Sequence, residues 1–147
     1  MSANPSPTYV DASGQIAGRL CSKVSKLILQ GKRVVVVNAE KALLSGRRAT
    51  VIEEWKGKLE ISSRVNPIYG PIHYRTPDKI LKRMVRGMVP HQVIKGRAAM
   101  KRLRVYIGLP ESLASQKLSR FEDAEAVRPV PVYTSLGELS RNLGWHG

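Results

Sequence analysis

The chain has 147 residues, 42% of them hydrophobic and 24% charged, which is enough for one folded domain with a real core and too apolar for a disordered chain. Its 25 Lys and Arg against 11 Asp and Glu give a net charge of +14, an excess that opposes compaction by self-repulsion and points to a polyanionic partner, nucleic acid first. The single cysteine, Cys21, excludes an intrachain disulfide and a zinc site built on several cysteines, and no aliphatic run approaches the ~20 residues of a membrane span.

Met1 to Pro7 reads as a mobile leader, without the basic start and apolar run of a secretory signal, so a soluble intracellular protein is expected. Thr8 to Val10 reads as a short strand, and Asp11-Ala12-Ser13-Gly14 as a turn carrying helix-capping side chains. Ile16, Leu20, Val24, Leu27 and Ile28 recur at helical spacing between Gln15 and Gln30. Arg19, Lys23 and Lys26 fall largely on the other side, and Gly31 stands where a C-terminal cap belongs. Val34 to Val37 is a β-branched run without alternation, the pattern of a strand covered on both faces. Strand, helix and buried strand predict a parallel βαβ unit. Ala42 to Leu44 reads as a further short strand, and Ser45-Gly46 precedes a helix from Arg47 to Leu59 that Gly57 weakens near its end.

Residues 62–76 contain two prolines, a glycine and no sustained period. They predict a long loop, and long ordered loops tend to be functional. Thr76-Pro77-Asp78 then opens a helix with a capping side chain, a proline at the first position and an acid at the positive end of the dipole. This helix is expected to run to Arg86, where Gly87 to Pro90 ends it. A short helix over Gly96 to Arg102 and a closing strand over Leu103 to Ile107 follow, and Gly108-Leu109-Pro110 breaks the chain. The remainder holds the acidic Glu122, Asp123 and Glu125, the proline-spaced Arg128-Pro129-Val130-Pro131, and a capping box at Ser135 to Glu138 that opens a helix ending at Gly144. The predicted fold class is α/β, a three-layer α/β/α arrangement with a small, mostly parallel sheet of about four strands. The predicted organisation is a leader (1–7), one α/β domain (8–110) with a loop-rich basic segment, and a C-terminal extension (111–147) packed on the domain or on neighbours.

The positive charge is unevenly placed. Residues 73–104 carry ten of the cations and one acid, whereas residues 105–147 carry four cations and five acids. Within the helix after Thr76, Ile80, Leu81, Met84, Val85 and Met88 share one side, and Lys79, Lys82, Arg83 and Arg86 lie at i, i+3, i+4 and i+7 on the other. A merely solvated face usually mixes signs to gain i,i+4 pairs, and this stripe contains no acid. The pattern extends through Arg75, Lys95, Arg97, Lys101, Arg102 and Arg104. Arginine grips phosphate with two hydrogen bonds and lysine adds a point charge, while Gly87, Gly96 and Gly108 would let a sugar-phosphate chain approach. His73, Tyr74 and His91 could stack on bases or bond to a 2′-hydroxyl, though ordinary packing explains single rings equally well.

Enzyme readings have less support. Gly14-Gln15-Ile16-Ala17-Gly18 sits between strand and helix, as a nucleotide loop would, and motivates an α/β nucleotide-dependent enzyme as the alternative. It lacks both the Lys-Ser/Thr ending of a P-loop and the three-glycine dinucleotide fingerprint, and the plainer reading is a turn at Gly14 and close packing at Gly18. His73, His91, His146 and Cys21 show no metal-ligand spacing, so neither a metal nor a cofactor is expected. A peripheral membrane role for the stripe lacks aromatic anchors on the opposite face.

Several segments then match a known pattern: Asp11-Ala12-Ser13-Gly14 with Gly18-Arg19-Leu20, Val35 to Glu40, Ser45-Gly46, Gly70 to Pro77, Val85 to His91, and Leu103 to Gly108. On these residues the chain resembles the universal large-subunit ribosomal protein L-thirteen family, in its archaeal and eukaryotic branch. The short end, Leu143-Gly144-Trp145, resembles the archaeal members. The resemblance implies a mostly parallel sheet between helices, attachment to large-subunit ribosomal RNA through the central basic segment, and a part in subunit assembly. It further implies neighbouring large-subunit proteins as partners, a cytoplasmic location, and no catalysis, small-molecule substrate or membrane.

Overall fold

Among the described residues the strands and α-helices follow one another as β1 (Thr8–Asp11), α1 (Ala17–Leu29), β2 (Val34–Val37), β3 (Leu43–Ser45), α2 (Arg48–Leu59), α3 (Pro77–Met88), α4 (Ile94–Lys101), β4 (Leu103–Val105), β5 (Tyr133–Ser135) and α5 (Leu136–Asn142). The computed structural model describes residues 6–127 and 132–147. The leader's first five residues and the Arg128-Pro129-Val130-Pro131 segment therefore lie outside the described residues.

β1, α1 and β2 form the expected parallel βαβ unit, and β4 adds a third parallel strand beside β2. Residues two apart in a strand share a face, so the register places Val10, Val34, Val36 and Leu103 together. They are buried in one core with Leu20, Val24 and Ile28 of α1 and Ile80, Leu81 and Val85 of α3. On the opposite face Tyr9, Val35 and Arg104 stand in register. There Val35 is half-buried and Arg104 exposed. The all-valine β2 thus hides a period of two, and the expectation of cover on both faces holds for Val37 but not for Val35.

The strands divide three and two rather than gathering about four in one sheet. After β2 the chain enters a 3-10 turn (Ala39–Lys41) through Asn38, whose φ of 56° is left-handed. Asn38 holds this conformation with its Nδ2 donating to Asp11 Oδ1 at 2.9 Å. The turn directs β3 away from the parallel sheet, and β3 pairs antiparallel with β5 instead. Directly after β5, Ser135 Oγ accepts from the Glu138 N–H at 3.2 Å, as the capping box predicts. Leu136, Leu139 and Leu143 then enter the same core as α1 and α3. The outer edge of β1 is covered as well, since Asp11 N donates to Ser119 O and Ser119 N donates to Tyr9 O.

Three local expectations need correction. The Thr76 side chain does not cap α3, and its hydroxyl is buried without a hydrogen bond. Pro77 and Asp78 still open the helix where expected. At the other end Gly87 does not stop α3, which continues to Met88; Val89 is the residue forced extended by Pro90. A Cβ on Gly18 would meet nothing within 4 Å, so close packing does not require glycine there, whereas a Cβ on Gly96 would collide with the Pro90 carbonyl, so Gly96 is small to let α4 approach the turn before it.

Candidate nucleic-acid interface

Burial of Ile80, Leu81 and Val85 fixes the rotation of α3, and the helical period then leaves Lys79, Lys82, Arg83 and Arg86 exposed on its outer side. These four cations line a groove of about 280 Å³ with Tyr74 and Met100. A second depression joins Lys79 and Lys82 to Arg104 and Tyr106, with Asp78 of the first turn of α3 also in its wall. Arg104 also enters a third, on the open face of the sheet, with Arg33, Lys101 and Arg102. Cations therefore run from the end of α3 across β4 to the α1–β2 connection, with Asp78 beside them at the middle depression.

Asp78 is the one carboxylate that lines this track among the described residues; it forms no ion pair with the cations, and the α3 groove itself has no acid in its wall. Among the described residues the ion pairs are Lys23 with Asp123, Arg48 with Glu138, Lys58 with Glu54, and Arg120 with Asp11 and Glu125. None uses a cation from residues 73–104. Like charges held at neighbouring helical positions repel one another, and a polyanion laid along the groove would offset that repulsion with attraction to each of them.

Other predicted residues have different surroundings. Arg75 donates from Nη1 to the Leu143 carbonyl at 3.1 Å, tying the loop to the end of α5. Arg102 donates from Nη1 to the Ile28 carbonyl at 2.9 Å, at the negative end of α1. His73 is half-buried with Nε2 2.7 Å from the Ile61 carbonyl. His91 lies half-buried in the turn between α3 and α4, with Lys95 and Arg97 exposed on α4; none of these three lines the α3 groove. Gly87 is exposed and uncrowded, and Gly108 takes a left-handed φ of 69°. The sequence reading missed Arg33, Trp55 and Lys58. Trp55 and Leu59, one helical turn apart on α2, form with Tyr74 and Met84 a cleft of about 470 Å³ that shares Tyr74 and Arg83 with the groove. The i,i+4 spacing of Trp55 and Leu59 was the available signal, and the many charges of α2 obscured it.

The loop between β1 and α1 does not present amides to a nucleotide. Ser13 N donates to Asp11 Oδ1, Gly14 N to Lys41 O, Gln15 N to Ala12 O and Ile16 N to Ala124 O. Gly14 makes the turn at φ 70°, and a phosphate would have to displace bonds that hold the fold together. Among the described residues no three His, Cys, Asp or Glu side chains gather as a metal site requires, and no helix is long and apolar enough to cross a membrane.

A family model described as ribosomal protein L13 matches residues 6–112. The chain is 46% identical over 142 residues to the large ribosomal subunit protein uL13 of Archaeoglobus fulgidus, covering 95% of this chain and 89% of the relative. It is 45% identical over 139 residues to the protein of that name from Aeropyrum pernix, covering 94% and 90%. The corresponding protein of Saccharolobus solfataricus is 37% identical over 139 residues, covering 94% and 93%.

Proposed function

The chain belongs to the ribosomal protein L13 family, and from that premise we propose that it is a non-enzymatic constituent of the large ribosomal subunit in the cytoplasm. It binds large-subunit ribosomal RNA, stabilises it during assembly, and sits beside other large-subunit proteins. The observation that carries this reading is the acid-free groove formed by Lys79, Lys82, Arg83 and Arg86.

The physical role follows from charge and rigidity. Folding RNA brings phosphates together, and their repulsion opposes compaction. A protein with fixed cations lowers that repulsion and releases counterions as it binds. Because α3 is anchored by its buried face, the backbone that carries these cations is already ordered, and only their side chains remain to be fixed on binding. Phosphate contacts position without specifying sequence, which suits a component whose target is one folded RNA region.

Affinity for large-subunit RNA measured against salt tests the reading. Each phosphate contact contributes a slope of about −0.7 to −0.9 in log affinity against log salt, so the groove predicts a steeply negative slope. A slope near zero rejects the proposal. The nucleotide-dependent enzyme is not favoured by any feature of the β1–α1 loop, and equilibrium dialysis with ATP, GTP and NAD should show no saturable micromolar binding.

A further inference from the structure

The cleft between α2, the loop and α3 differs in character from the groove beside it. At about 470 Å³ it falls within the roughly 300–1,000 Å³ of small-ligand pockets. Its walls include the rings of Trp55, His73 and Tyr74 together with Met84, whereas the groove is walled mainly by cations. Tyr74 and Arg83 belong to both. A phosphate chain lying along the groove would therefore pass beside an opening lined by aromatic rings.

We propose that this cleft receives one unpaired base of the RNA whose backbone follows the α3 groove. The proposal deepens the RNA-binding reading and rests on it. Every base has a π face, so stacking on an aromatic side chain tolerates any sequence, and RNA offers such bases in bulges and loops. His73 is set in advance for this contact. Its Nε2 lies 2.7 Å from the Ile61 carbonyl oxygen, which can only accept, so Nε2 carries the proton. Nδ1 of the neutral ring is left to accept from a base amino group or a 2′-hydroxyl. Lys58 lies over the Trp55 ring, Nζ 4.6 Å from its centroid. With Arg83 it gives the cleft two cations and no lining acid. Lys58 is already shared with Glu54, so Arg83 is the cation here that a polyanion would meet unpaired, and a protein side chain would meet the same aromatic walls without a phosphate for it. Unlike RNA, it would draw no benefit from the cationic groove that adjoins the opening.

Trp55 and Trp145 are the two tryptophans, so the Trp145→Phe protein reports on Trp55 alone. It is titrated with a fully paired RNA duplex, with the same duplex carrying one bulged adenosine, and with that bulge made abasic. The bulged RNA should bind about tenfold tighter than the abasic one, as base–aromatic stacking predicts, and should quench Trp55 emission. Trp55→Leu, followed by anisotropy of labelled RNA, should abolish that preference while keeping affinity for the paired duplex and its salt dependence. Equal affinities for bulged and abasic RNA, or an unmoved Trp55 emission, overturns the proposal and leaves the cleft to a protein side chain. Salt-dependent binding of all three RNAs would in that case still uphold the RNA reading, and failure to bind any of them would reject both.

Discussion

The outer face of α3 and the corner around Arg120 carry positive charge in opposite ways. Arg120 reaches Glu125 at 3.1 Å, Asp11 at 3.5 Å and the Ser13 carbonyl, so its charge is met within the chain and joins residues more than a hundred positions apart. Arg83, on α3, lies among Lys79, Lys82 and Arg86 with no carboxylate paired to any of them among the described residues. Paired charges hold a fold in register, while a concentrated unpaired set weakens the isolated protein slightly and is retained for an external partner. The two regions differ in geometry rather than in residue type, and net charge alone does not distinguish them.

Perturbing each side of the comparison should separate stability from binding. The largest effect belongs to the inner face of α3. Leu81→Ala should destabilise by about 2–5 kcal/mol, the usual cost of a buried Leu truncation, since Leu81 is 1% exposed; a urea melt checks it, and the fraction still folded should bind RNA normally. On the outer face, Arg83→Ala with Arg86→Ala should shift stability by less than about 0.5 kcal/mol. The same pair should make the salt slope shallower by about 1.5, equivalent to two lost phosphate contacts. Arg102→Ala falls between the classes, because the bond to the Ile28 carbonyl caps α1. It should destabilise by about 1 kcal/mol in the same melt.

The smallest effect is the pH response of the Arg120 corner. Burial pushes the Asp11 carboxyl up, but the hydrogen bonds from Asn38 and Ser13 and the charge of Arg120 outweigh it, holding the group below its ordinary value of 3.8. A group lowered on folding contributes stability above the unfolded value and loses it as pH falls through the folded one. Wild type should therefore lose more stability than Asp11→Asn as the solution is acidified below about pH 4. Parallel curves would show that the carboxylate is not held.

Much of the fold could be read from local pattern. The period of Leu20, Val24 and Ile28 marked α1 because a helix against a sheet buries one stripe, and α3 was legible for the same reason. β5 was not, because Tyr133-Thr134-Ser135 is too short for a period and acquires its identity from pairing with β3. The departure of β3 from the parallel sheet depends on Asn38, a single residue whose left-handed backbone is fixed by a contact 27 positions away. For the candidate site, the stripe on α3 was legible because local helical geometry generates it. The internal ties of Arg75 and Arg102 and the meeting of Trp55 and Tyr74 in one cleft were not, since each depends on a partner in another element; the packing role of Gly96 was not either, because it depends on how the turn at Pro90 folds back on α4.

Sedimentation of cell lysate carrying the tagged chain tests the central claim most directly, with wild type compared with a variant in which Lys79, Lys82, Arg83 and Arg86 are all replaced by Gln. Wild type should travel with large ribosomal subunits, and the folded variant should remain near the top of the gradient. Wild type at the top, or a variant that still travels with the subunit in full amount, would contradict the assignment of this face to ribosomal RNA.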